Sequence, residues 1–328
     1  MPKSKSRKTK LKPGPRSSAV YGKNVAYYDS KDDDVSTPAE RVRIKPNRPE
    51  AAKAGQAMVA MEAASFLEFL NSATRRRRRE IYEKKLQNNP GAKRIVSEGD
   101  SWHLYPEIIQ ELIDQLNRDP HLAIFSADGA GDTFTSIWAE RLESNKGFVK
   151  SLANEKPGTF LFCGGGNDLL FSRKGPDGKK IGNLFFHLND FKPGMTAQQL
   201  IKPSINSAYD TVEAQVRAII TKSMEFSSVK RIVYHGYDYP FPDGDVWLGK
   251  PMARRGINSP SLQRQICIIL IDRLHDRFAK IAQSFAGTGK VRYVDVRNVV
   301  TKKSEWHDEL HPGSDGFKKI AALVKPHL

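Results

Sequence analysis

Cysteine is nearly missing from this chain, with only Cys163 and Cys267 among 328 residues. Each stands in an apolar stretch, LFCGG and QICIIL, and the two do not form a Cys-x-x-Cys pair. A disulfide scaffold and thiol redox chemistry are therefore excluded, and two buried free thiols are expected. No run of about 18 consecutive apolar residues occurs, which argues against a membrane-spanning helix. Residues 1–50 lack the apolar core of a secretory signal, so the expected location is cytoplasmic. The eight histidines show no paired spacing with carboxylates or thiols of the kind that holds zinc. No Lys-Ser or Lys-Thr follows the glycine run at 164–166, so the P-loop reading fails as well. Neither a metal nor a cofactor is expected, and no internal repeat is found.

Acidic residues are the scarcer charge, 37 against 53 Lys and Arg, for a net charge of +16. The excess is uneven: residues 1–93 carry 22 basic and 10 acidic side chains, and the rest of the chain is close to balance. Such a basic front names no partner by itself, and no specific nucleic acid is predicted.

Residues 1–50 are rich in Lys, Pro, Ser and Asp and poor in large apolar groups, so a disordered basic tail is expected. Residues 51–90 read as a basic amphipathic helix, with Met58, Met61, Phe66, Phe69 and Leu70 followed by Arg75 to Arg79. It has two readings: attachment to an anionic membrane or polyanion through residues 51–86, or packing on the rest of the chain with the arginines as a solvated face. From about residue 91 to 328, short apolar runs alternate with amphipathic stretches, the pattern of an α/β domain with a mostly parallel sheet. The strands expected are Arg94–Ser97, Ala123–Ala127, Thr159–Cys163, Arg231–His235 and Val291–Val296. The helices expected are Leu104–Asn117, Thr133–Leu142, Ile205–Glu225, Pro260–Phe285 and Asp315–Val324. Two long connections, 169–203 and 237–259, leave carboxyl ends of strands, the edge at which such sheets bind ligands.

Chemistry-bearing residues gather at that edge. The first strand runs into Gly99, Asp100 and Ser101 at a strand-to-helix turn, where a serine hydroxyl can face a ligand or simply cap a helix. The second ends in a glycine turn with Gly129, Gly131, Asp132 and Thr133, suited to close backbone approach or to plain turn formation. The third ends in Gly164, Gly165, Gly166, Asn167 and Asp168, where the Asn amide offers an uncharged donor for a developing oxyanion. Near the C-terminus, Asp308 and His311 are placed so that a carboxylate can orient an imidazole base, and His307 competes for that role. The fourth strand ends in HGYDYPFPDGDVW, placing His235, Tyr237, Asp238 and Tyr239 at a cleft mouth or in a packed turn. His103 reads as structural or solvent-facing.

In this order the blocks resemble the SGNH hydrolases, the GDSL esterases and lipases; the match lies at residues 99–102, 129–133, 164–168 and 308–312. The resemblance implies a three-layer α/β/α flavodoxin-like fold with a mostly parallel five-stranded sheet. It implies Ser101 as nucleophile and Asp308 and His311 as the catalytic pair. The oxyanion hole would come from the Ser101 and Gly131 N–H groups and the Asn167 side chain, and His307 falls off the motif. Trp102 departs from the small or aliphatic residue common after the serine and joins Tyr237, Asp238 and Tyr239 as a candidate cleft residue. The expected activity is hydrolysis of a carboxylic ester through an acyl-enzyme. Alternatives are a polysaccharide O-acetyl esterase, a phospholipase or thioesterase, or a non-catalytic module that binds an anionic surface. The substrate would be a small-molecule, lipid or acylated-sugar ester, since the same blocks serve all of these.

Overall fold

A computed structural model describes residues 55–105, 109–140, 147–178 and 180–328. The tail expected at 1–50 lies outside them. The central sheet has five strands: β1 (Lys93–Glu98), β2 (Leu122–Ser126), β3 (Thr159–Cys163), β4 (Arg231–His235) and β5 (Val291–Val294). Their order is β2-β1-β3-β4-β5 and every neighbouring pair is parallel. This is the flavodoxin-like order 2-1-3-4-5, whose switch point falls between β1 and β3. All five residues of β3 are buried. A strand buried on both faces needs a layer on each side, so the architecture is three-layered.

The strand starts and ends match the sequence expectation within two residues. The helices differ more. In place of Leu104–Asn117 only Leu112–Leu116 is helical, and residues 106–108 lie outside the described part. The chain turns after the first strand, with the Asp100 carbonyl accepting from the N–H groups of His103 and Leu104, and the Leu112 N–H donates to the Trp102 carbonyl. Pro106 biases Tyr105 away from helical backbone, which delays the helix. Phe134–Glu140 falls within the expected Thr133–Leu142, whose end lies among 141–146, outside the described residues. An eight-residue helix, Phe148–Glu155, was not expected; it is too short for a periodic pattern to stand out. The two longest domain helices, Asn206–Met224 and Pro260–Ser284, fall where periodicity puts them.

The basic segment forms one helix, α1 (Gly55–Asn88). Leu67 packs with Leu104 and Ala130, and Tyr82 packs with Ala92 and Ala123, so its apolar side lies on the domain. The arginine run is not a uniform solvated face. Arg76, Arg77 and Arg79 are exposed, but Arg78 has no exposed surface. Its guanidinium donates to the His103 carbonyl at 2.9 Å and to Ser126 Oγ at 3.1 Å, and it pairs with Glu111, Asp114 and Asp128. Among the described residues no helix is long and apolar enough to cross a membrane.

Candidate active site

The parallel sheet brings the carboxyl ends of β1, β3 and β4 to one edge, and the turns that leave them meet the segment before the last helix, Ser314–Val324. Ser101, in the turn after β1, places its Oγ 2.7 Å from His311 Nε2 across 210 positions of sequence. His311 Nδ1 lies 2.9 Å from each oxygen of Asp308. The same carboxylate accepts the backbone N–H of Leu310 at 2.7 Å and of His311 at 2.8 Å, so three donors fix it beneath the ring. Because Nδ1 faces a carboxylate it carries the proton, which leaves Nε2 as a lone pair aimed at the serine. Such a line can take up the hydroxyl proton while the carboxylate steadies the imidazolium. The Tyr105 ring covers the imidazole at 4.6 Å between centroids. His307, four residues earlier, is exposed, donates its backbone N–H to the His311 carbonyl and sets its ring edge-on to Tyr105 at 5.9 Å.

Tyr237 ties the first and third blocks together. Its hydroxyl donates to Asp100 Oδ2 at 2.5 Å and accepts the Gly166 N–H at 2.9 Å. Asp100 Oδ1 accepts the Trp102 N–H at 3.0 Å. Burial beside Asp100 raises the Tyr237 phenol well above its ordinary range, which keeps it a hydrogen-bond donor. Asn167 Nδ2 donates to the Asp132 carbonyl at 2.8 Å, joining the third block to the second. Asp168 accepts the Phe134 N–H at 2.9 Å and so serves the helix start instead of the cleft. Gly131 has φ +89°, and an added Cβ would meet only Leu67 at 3.7 Å. Backbone conformation, and not crowding, is what requires glycine there.

A cavity of about 80 Å³ opens between Ser101, Asn167 and His311 and is walled by apolar side chains such as Leu184, Ile205, Leu270 and Leu274. Of the expected cleft residues, Trp102, Tyr237 and Asp238 line it and Tyr239 does not; of the expected oxyanion residues, Ser101 and Asn167 line it and Gly131 does not. Trp102 is a core residue: its Nε1 donates to the Leu310 carbonyl and its ring packs edge-on against Tyr237 and Phe317. Asp238 is buried, and its carboxylate accepts the N–H groups of Tyr239, Asn298, Val299 and Val300, so it braces two loops. Tyr239 turns away, with its hydroxyl 2.5 Å from Asp272.

Glu309 escaped the sequence reading. It is buried beside Asp308, and its carboxylate accepts the N–H groups of Asp243, Trp247, Leu248 and Gly249. The 237–259 connection is thereby clamped to the histidine loop. Burial, with Asp245 nearby, pushes the Glu309 carboxyl up to about 7. No sequence pattern marks a side chain that gathers backbone donors from a distant loop.

No family model matches the chain, and no curated protein matches it. Among solved structures, one from Streptococcus pneumonia, named provisionally as a platelet activating factor, is 15% identical with TM-score 0.46, covering 83% of this chain and 98% of that one. An extracellular lipase from Streptomyces rimosus is 12% identical with TM-score 0.42, covering 72% and 100%. An acetyl xylan esterase from the rumen bacterium Butyrivibrio proteoclasticus is 12% identical with TM-score 0.41, covering 71% and 63%. Likenesses this distant do not bear on activity. What ties this chain to the SGNH hydrolases it resembles is its four sequence blocks, gathered at one edge of a five-stranded parallel sheet.

Proposed function

We propose that the protein is a serine ester hydrolase. The observation that carries this reading is the line from Ser101 Oγ through His311 to Asp308, with contacts of 2.7 and 2.9 Å. His311 takes the Ser101 proton as Oγ attacks the ester carbonyl, and it returns that proton to the departing alcohol. Water then repeats the sequence in reverse and frees the acid. The oxyanion is received by the Ser101 and Gly131 N–H groups and the Asn167 amide, which Asp132 and Tyr237 hold in register. A donor of this kind is worth about 100- to 1000-fold in turnover.

The apolar cavity supports a short acyl group on a carboxylic ester. A dry cavity of roughly 150 Å³ holds benzene, so about 80 Å³ suits an acyl chain of about three or four carbons. The test is a series of chromogenic acetyl, butyryl, octanoyl and palmitoyl esters, run with and without a serine-reactive organophosphate. Butyryl should turn over fastest, and the reagent should stop turnover while adding one label at Ser101. A folded protein that cleaves no ester and takes up no label would leave only the non-catalytic module.

A further inference from the structure

Behind the serine turn lies a second cluster that ester hydrolysis does not use. His103, Cys163 and His235 are fully buried, and one donor atom from each lies within 4.8 Å of the others. The fold builds this from three places. Cys163 and His235 end β3 and β4 and are direct register partners across the ladder, so their side chains leave the same face. His103 follows the turn after β1, and Gly99 closes over the group: a Cβ there would stand 2.6 Å from His103 Nδ1 and 2.7 Å from Cys163 Sγ.

The hydrogen bonds fix the outer nitrogen of each ring. His235 Nδ1 lies 2.7 Å from the Gly236 carbonyl, which only accepts, so Nδ1 carries a proton. His103 Nδ1 lies 2.9 Å from Asp128 Oδ1, a carboxylate that also accepts from Ser97 and Ser126, so it carries a proton too. Both Nε2 atoms then face each other at 2.9 Å. An imidazole held by a carboxylate on one ring and by a backbone carbonyl on the other is how proteins aim histidine at a metal.

We propose that His103, His235 and Cys163 form a site for zinc or a chemically similar divalent ion behind the nucleophile turn. Two imidazoles and one thiolate are a donor set that suits zinc. The two Nε2 atoms face each other with Cys163 Sγ beside them, so an ion there would take both imidazole nitrogens and the sulfur as ligands. Asp128, against His103 and with Arg78 beyond it, places a buried carboxylate behind the ligand ring. Zinc–nitrogen and zinc–sulfur bonds of about 2.0–2.3 Å put donors about 3.3–3.7 Å apart, so binding opens the 2.9 Å contact between the Nε2 atoms by about 0.4 Å and brings Cys163 Sγ in by up to about 1 Å.

The test uses the full chain, stripped by chelator and titrated with zinc and separately with cobalt. We expect about one ion per chain and a thiolate-to-cobalt absorption band. Cys163→Ser should lose that band and lower affinity at least about tenfold, and His235→Gln should lower affinity at least as far. Ester turnover and circular dichroism of the variants report folding. Stoichiometry below about a tenth of an ion per chain, or binding without the cobalt band, overturns the proposal. So does wild-type affinity in folded Cys163→Ser. If neither variant folds, the wild-type cobalt titration decides: a saturable thiolate-to-cobalt band at about one ion per chain supports the site, and its absence refutes it.

Discussion

Replacing Arg78 with Met is the sharpest probe of how the basic helix relates to the domain. Burial, with a smaller push from the Arg77 charge, lowers the guanidinium pKa, and Asp114 and Asp128 oppose that shift. The group is fully buried, and its partners Glu111 and Asp128 are buried as well. Methionine keeps much of the volume but strands those carboxylates, along with the His103 carbonyl that Arg78 serves. Removing one partner from a buried ionic cluster typically costs about 3–5 kcal/mol. At roughly 2–4 °C per kcal/mol for a domain of this size, the melting temperature should fall by roughly 6–20 °C. Lysine restores charge but not the forked geometry, so Arg78→Lys should recover only part of the loss. Urea unfolding followed by circular dichroism, together with a thermal melt, gives both numbers. A loss below about 1 kcal/mol for Arg78→Met would mean that α1 does not hold the domain, and the account of its docking would be wrong.

Ser101→Ala and His311→Ala should each lower ester turnover by several orders of magnitude with little change in melting, and His307→Ala should be mild; the reverse order for the two histidines would remove His311 as base. Asn167→Ala should cost about 100- to 1000-fold in turnover. Tyr237→Phe should lower turnover much less in the Asn167→Ala background than in the wild type, because the phenol acts through the third block; additive losses would refute that. Glu309 has a folded pKa above its ordinary 4.5, so its contribution to stability is fullest below pH 4.5 and is lost as pH rises toward about 7. Glu309→Gln should flatten stability against pH in that window, and an unchanged slope would count against it. If the outward Arg76, Arg77 and Arg79 attach the protein to an anionic surface, changing all three to Gln should abolish salt-sensitive vesicle sedimentation; equal behaviour of the two proteins, insensitive to salt, would exclude it.

Alternation of apolar runs made all five strands legible, because a parallel sheet buried on both faces needs them. The four blocks were legible because each sits where a strand ends. What escaped depends on side chains that act at a distance. Nothing local distinguishes Arg78 from the arginines on either side of it, since its burial is set by where Glu111 and Asp128 come to lie. Trp102 looked like a cleft residue but is mostly core, and Tyr239 faces Asp272. Glu309 has no role in the sequence reading and Asp238 is placed there at a cleft mouth or packed turn, yet Glu309 collects four backbone N–H groups from 243–249, and Asp238 collects three from 298–300 besides that of its neighbour Tyr239.

The separation of 210 positions between Ser101 and His311 also has a meaning in time. A ribosome adding about 5–20 residues per second makes the serine turn roughly 10–40 s before the histidine. Arg78 meets its partners early in that interval, since all of them lie within 50 positions of it. The nascent chain can thus bring its helix against β2 long before His311 is made to meet the Ser101 hydroxyl. On the proposed function, chemical competence arrives last.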